Sequence, residues 1–285
     1  MIELRKSKPE EVPGLQELFQ LCFGDSPECS GLYFDNFYRP EEFLVLREEG
    51  ELRAMAGLLN LSLTEPDGRT VKAAYLYGMG THPDHRGRGY AAQLLNYADF
   101  YLHGKRDCIV TMPADNQLHA FYGKFGFAEC FPLLEGSAVP RAPREGETSL
   151  PLDAAAYDAL RERLLTGRFH VSYGVLTGLQ ERLCAFSGGS LLSLNVNGIP
   201  GCAAVEQWGD TALCKELLIA PEGLEGALAL VAQAVYAGQL VLRLPAFYPQ
   251  AGPSKRDFGM IKWFDPIAAK RWQEADAPYL GLAFD

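Results

Sequence analysis

The sequence predicts a mixed α/β (α+β) chain built from two related halves, and three observations predict it. Short runs rich in β-favouring residues alternate with stretches of helical period, the pattern of a sheet covered by helices. Ile-Val-Thr-Met-Pro-Ala at 109–114 returns as Val-Leu-Arg-Leu-Pro-Ala at 241–246, and Phe125-Gly126-Phe127 is echoed by Phe258-Gly259-Met260 at nearly the same offset. The 285 residues, 48% hydrophobic and 22% charged, suffice for two ordinary cores.

Taken in order, Ile2 to Arg5 reads as a strand, and Ser7-Lys8-Pro9-Glu10 as a capping-box start with proline where a helix tolerates it. Leu15, Leu18, Phe19 and Cys22 then form one apolar helical face, ended by Gly24. Ser26-Pro27 opens a second helix, on which Tyr33, Phe34, Phe37 and Tyr38 gather. Residues 42–46 and 52–63 are strands around the turn Glu48-Glu49-Gly50-Glu51, and Pro66-Asp67-Gly68-Arg69 makes the next turn. Tyr75-Leu76-Tyr77 runs as a strand into Gly78-Met79-Gly80. A polar turn, Thr81 to His85, leads to the basic loop Arg86-Gly87-Arg88-Gly89. From Tyr90 to about His103, Ala91, Leu94, Leu95, Ala98 and Leu102 fall at helical spacing. A strand over 108–112, a short helix over 117–124 and a strand over 127–133 complete the first half.

Residues 134–150 are rich in proline, glycine and charge, which marks a boundary. Helices are expected over 152–165 and 174–186. From Gly188 the order repeats: a hairpin about Asn197-Gly198, a strand over 212–219, a helix over 221–236 and a strand over 240–244. The apolar tail from Tyr279 to Phe284 is expected to dock. The expected division is 1–135 as the domain carrying the site, 136–187 as linker and connecting helices, and 188–285 as a degenerate second copy.

The order strand, glycine-rich basic loop, helix start has a chemical meaning. Glycines let backbone N–H groups turn to a ligand without a Cβ in the way, and a helix N-terminus adds unpaired donors and partial positive charge. With Arg86 and Arg88, this makes a seat for a phosphate or pyrophosphate. An ordinary surface turn, or a fragment of an RGG-type nucleic-acid segment, would also account for the loop alone. The second is disfavoured by a net charge of −10 and by the motif's single occurrence. The second half has Pro221-Glu222-Gly223-Leu224-Glu225-Gly226 at the matching place, whose carboxylates would repel a pyrophosphate. One cofactor site is therefore expected.

Composition bounds the rest. No run of about 18 apolar residues and no apolar leader is present, so a soluble cytoplasmic chain without a membrane partner is expected. Acidity argues against nucleic acid and anionic membranes. The seven scattered cysteines, none in Cys-x-x-Cys spacing, read as reduced small hydrophobes. His82 and His85 read as loop scaffold, and no metal is expected. A homo-oligomer stays open.

Arg86-Gly87-Arg88-Gly89-Tyr90-Ala91, with its strand before and amphipathic helix after, resembles the pyrophosphate loop of the GNAT superfamily of N-acetyltransferases. Asn116-Gln-Leu-His-Ala-Phe-Tyr-Gly-Lys-Phe-Gly-Phe127 resembles that family's second cofactor-binding motif. The resemblance covers about residues 1–133, and it is greatest to the enhanced intracellular survival protein group, whose members carry tandem domains of this type. It implies transfer of an acetyl group from acetyl-CoA to a primary amine; the acidic charge balance adds the expectation that the acceptor is a small, cationic molecule. Backbone around Met79, Gly80 and Thr81 would hold the pantetheine and carbonyl; Arg86, Gly87, Arg88, Gly89, Tyr90, Ala91 and Ala92 would take the pyrophosphate, and Asn116 would contact the cofactor. Tyr122 stands where the family has its general acid. In the survival-protein group a terminal carboxylate is the base, which points to Asp285; Glu206, Glu216 and a water are alternatives. A non-catalytic module binding acetyl-CoA or another ligand is the competing reading.

Overall fold

The computed structural model describes residues 1–249 and 254–284. The chain runs β1 (Ile2–Lys6), α1 (Val12–Phe23), α2 (Pro27–Phe34), β2 (Phe43–Glu48), β3 (Glu51–Thr64), β4 (Thr70–Thr81), α3 (Tyr90–Leu102), β5 (Cys108–Thr111) and α4 (Asn116–Gly123). It continues with β6 (Ala128–Ala138), β7 (Glu147–Pro151), α5 (Ala154–Leu164), β8 (His170–Ser172), α6 (Thr177–Phe186), β9 (Ser190–Val196) and β10 (Ile199–Trp208). Then come β11 (Thr211–Ile219), α7 (Leu224–Ala234), β12 (Gln239–Pro245), β13 (Ser254–Trp263) and α8 (Pro266–Gln273).

Two compact units emerge. The first holds 1–62, 71–128 and 260–269; the second holds 63–70, 129–259 and 270–285. Residues 129–187, expected as domain end, linker and connecting helices, carry β6, β7, α5, β8 and α6 and cluster with the second unit.

In the first unit the strands lie in the order β1-β2-β3-β4-β5, with Met260–Trp263 of β13 on the far edge of β5. β4 and β5 are parallel, pairing Ala73–Tyr75 with Cys108–Val110. β4 then runs on to Thr81 beside β3 but without β5, so the two strands part towards their C-terminal ends. One face buries Leu44, Leu46, Ala74 and Leu76 under Leu94, Leu95 and Ala98 of α3. The other packs Phe19 of α1 and Tyr33 of α2 against Tyr77.

In the second unit the order is β7-β9-β10-β11-β12-β6, again with one parallel pair, Thr211–Cys214 with Gln239–Leu242. Its core joins Leu192, Val205, Cys214 and Leu242 to Leu230 and Val231 of α7. Both units thus place a helix after the first member of a parallel pair, as the sequence repeat at 109–114 and 241–246 anticipates. The tail docks within this unit: Tyr279 N–H donates to Phe169 O, Val171 N–H to Tyr279 O, and Gln180 Nε2 to Ala283 O.

Candidate active site

The site grows from an irregularity in β4. Strand side chains alternate faces, and Leu76 lies under α3 while Tyr77 meets α1 and α2. Three residues after Leu76, Met79 packs on the α3 side again. The slip occurs at Gly78, whose φ is +55°, and a Cβ there would strike the Phe19 ring at 2.5 Å. A Cβ on Gly80 would meet Cys22 Sγ at 2.8 Å. These glycines let α1 lie close against the strand, and the slip takes backbone N–H groups out of ladder register.

The loop that follows presents backbone outward. His82 Nδ1 accepts from Asp84 N–H and fixes the turn Pro83–His85. Gly87 and Gly89 adopt φ of +78° and +76°, a region that costs an L side chain about 1–2 kcal/mol, and nothing lies near the Cβ position of either. Gly89 is the N-cap of α3, and the first intrahelical bond is Gln93 N–H to Gly89 O. The N–H groups of Tyr90, Ala91 and Ala92 precede it and are available to an anion. A pyrophosphate fits this cradle: open space over left-handed glycines, three helix N–H groups and two exposed arginines.

The arginines have resting partners. Arg86 Nε points to Thr81 O at 3.4 Å, and its charge opposes the burial that raises the Cys22 thiol pKa. Arg88 sits 3.9 Å from Glu48, whose carboxylate accepts the Tyr90 hydroxyl at 2.6 Å. That hydrogen bond, with Arg88 adding to it, holds Glu48 below the usual carboxylate range. Sequence reasoning missed Glu48. It reads as one end of a hairpin turn, and only the pairing of β2 with β1 and β3 carries it to the start of α3.

Tyr122, on α4, is buried with its hydroxyl 3.8 Å from Met79 Sδ. Its ring packs on Phe121 and Phe127. Burial pushes the phenol up to about 12, against a Thr111 hydrogen bond that acts the other way. Met79, Gly80, Thr81, Arg86 to Ala92 and Tyr122 thus gather along the parted end of β4 and the start of α3. Asn116 is the first residue of α4, exposed, beside the Asp115 cap that accepts from Leu118 N–H.

Two base candidates belong to the second unit. Glu216 is fully buried and bound by Arg161 and Tyr157, and Glu206 accepts from Lys215 Nζ at 2.9 Å. Asp285 lies outside the described residues. Among the described residues, no helix is long and apolar enough to cross a membrane.

Residues 3–130 match the family model described as the acetyltransferase (GNAT) domain, and this segment is a GNAT domain. The structure resembles a GCN5-related N-acetyltransferase from Anabaena variabilis (TM-score 0.71, 14% identity, 93% of this chain and 73% of that one). It also resembles Eis1 from Mycobacterium abscessus (0.68, 17%, 94% and 75%). A tandem GNAT protein from the clavulanic acid biosynthesis pathway aligns over 93% of this chain and 99% of its own, with TM-score 0.55 and 13% identity. At these identities the likeness carries the fold, that of tandem GNAT-type proteins. No curated protein matches the chain.

Proposed function

We propose that this protein is an N-acetyltransferase that moves an acetyl group from acetyl-CoA to the primary amine of a small, cationic molecule, with catalysis in residues 1–135. The observation that carries this reading is the open cradle at Gly87, Gly89 and the first turn of α3, set beside the slipped strand at Gly78 and the Tyr122 hydroxyl.

When bound, acetyl-CoA supplies an acetyl group activated as a thioester. The α3 N–H groups, Arg86 and Arg88 hold its pyrophosphate, Arg88 exchanging Glu48 for phosphate oxygen, and Asn116 offers a polar contact. Backbone N–H groups at Met79 to Thr81 hold the acyl oxygen, where fixed donors favour developing negative charge. Tyr122 gives its proton to the departing sulfur. A phenol near 12 and a thiol near 8.5 in water are mismatched, but a thiolate expelled into the same desolvated pocket is raised by the same burial. The attacking amine gives up its proton to Asp285 or to a water. The acidic chain, net −10, suits a cationic acceptor.

The test is thermal stability with and without acetyl-CoA, for wild type and Gly89→Glu. Ligand at 100 times its Kd stabilises the folded state by about 2.7 kcal/mol. The expected result is a shift for wild type, none for folded Gly89→Glu, and release of free coenzyme A when wild type meets a suitable amine. No shift in wild type overturns the cofactor site. A shift without coenzyme A release from any amine supports the non-catalytic binding module instead.

A further inference from the structure

The second unit has its own parted strands, and they are not empty. β11 and β12 pair only at Thr211–Cys214 and Gln239–Leu242, while β11 continues to Ile219. This is the relation β4 bears to β5. At the corresponding end of β11, Tyr248 enters from the turn after β12. Its hydroxyl donates to Ile219 O at 2.6 Å and accepts Ile219 N–H at 2.8 Å. One phenol therefore satisfies both backbone groups of the last β11 residue, and this groove is closed to an amide-bearing cofactor arm.

Outside that plug lies a cavity of about 370 Å³ within the second unit. Leu164, Ile199, Pro221, Phe247 and the Tyr248 ring supply apolar walls. Among the described residues the single charge on its lining is Arg168, whose guanidinium lies 3.8 Å over the Phe247 ring. No carboxylate pairs with Arg168 among the described residues. Apolar walls with one placed polar group are the usual make-up of a small-molecule site. The sign of that group selects the ligand. A cation would face Arg168, and a polyphosphate would find no second cation on the described lining. A ligand with one carboxylate and an apolar body matches both features, since guanidinium and carboxylate form paired, charge-assisted hydrogen bonds.

We propose that this cavity binds a small amphipathic monocarboxylate, its carboxylate on Arg168 and its apolar body against Leu164, Ile199 and Phe247. The site is distinct from the cradle at Gly87–Gly89 and does not depend on catalysis there.

Octanoate is the probe, titrated into the full chain below its micellar concentration by calorimetry and ligand-observed NMR, with octylamine and 1-octanol as controls. Octanoate is expected to bind with preference over both controls. Arg168→Gln should weaken it about tenfold or more, the scale of one lost charge-assisted hydrogen bond, while Arg168→Lys restores part of the affinity. Leu164→Phe, which narrows the cavity away from the charge, should also weaken binding, and Gly89→Glu should leave it unchanged. Absence of octanoate binding, or equal binding to wild type and folded Arg168→Gln, overturns the proposal. Equal affinity for octanol does so as well, because the guanidinium would then select nothing.

Discussion

Tyr122→Phe removes one oxygen from a ring that keeps its packing, so it separates proton donation from structure. The ring stays between Phe121 and Phe127, with centroids 5.4 Å from each. The lost hydroxyl contacts are to a thioether sulfur 3.8 Å away, a weak acceptor, and to the Thr111 hydroxyl, so stability should change by no more than about 1–2 kcal/mol. Proton donation in the transition state is worth about 10²- to 10⁴-fold, or roughly 3–5 kcal/mol of barrier. The variant should therefore lose at least about 10²-fold in kcat while its acetyl-CoA-induced rise in Tm stays as in wild type. The pH profile adds a second check. A phenol raised to about 12 keeps its proton below that value, so Tyr122 should impose no alkaline loss of kcat between about pH 8 and 10. The assay is steady-state release of the coenzyme A thiol with an amine that supports turnover. Unchanged kcat in Tyr122→Phe refutes the acid role. An alkaline limb near pH 10 that vanishes in the variant refutes the electrostatic reasoning.

Two further outcomes concern the scaffold. Glu216 and Arg161 are both fully buried, and Glu216 also accepts from Tyr157 at 2.9 Å; Glu216→Gln should cost about 3–5 kcal/mol by urea unfolding, because it strands a buried guanidinium. The double change Arg161→Met with Glu216→Leu should recover much of that, and a double variant no more stable than the single one counts against the pair. Glu11 bridges Arg5 and Arg47, and its hydrogen bond to Arg5 pulls its carboxyl down to about 2 against the burial that opposes it. A lowered pKa gives stability that is present above about 4.5 and lost as pH falls towards 2. Glu11→Gln should thus cost about 1–2 kcal/mol at pH 7, discounted for solvent screening, and little at pH 2. An identical loss at both pH values contradicts the linkage.

What could be read in the sequence was local. The glycine-arginine loop, the stripe of Leu94, Leu95 and Ala98, and the Asp115-capped helix bearing Tyr122 are set by neighbours within one or two turns, and the structure has all three. The strand echo at 109–114 and 241–246 was legible because a buried parallel strand leaves a short apolar signature. Contacts made by distant pairing were not. Glu48 reaches Tyr90 only through the β2–β3 register. Arg161 and Glu216 lie 55 positions apart, and neither residue type advertises a buried partner. Residues 134–150 read as a boundary by composition, yet β6 extends to Ala138, where its pairing with β12 holds it, and β7 begins at Glu147 on the sheet edge, where charge and a terminal proline are tolerated.

The two helix starts show how one fold keeps or loses an anion site. Before α3, Gly87 and Gly89 have left-handed φ and open space around them, so glycine there serves the backbone's approach to something outside. Before α7, Gly223 has φ of −90°, and a Cβ on it would strike Ile219 at 2.7 Å; glycine there serves packing inside. The charges follow the same division. Arg86 and Arg88 are exposed at the first start, Arg88 held only loosely by Glu48 at 3.9 Å. At the second start, Glu225 is bound by Arg141 at 2.6 Å and lies 3.7 Å from Arg144, which ties α7 to the segment ahead of β7 and places a carboxylate where a phosphate would sit. Tyr248 then spends the last β11 backbone groups. An arginine placed at Glu222 or Glu225 is therefore expected not to create an anion site there, because Gly223 is packed against Ile219 and is not left-handed, and Tyr248 already takes the Ile219 backbone groups.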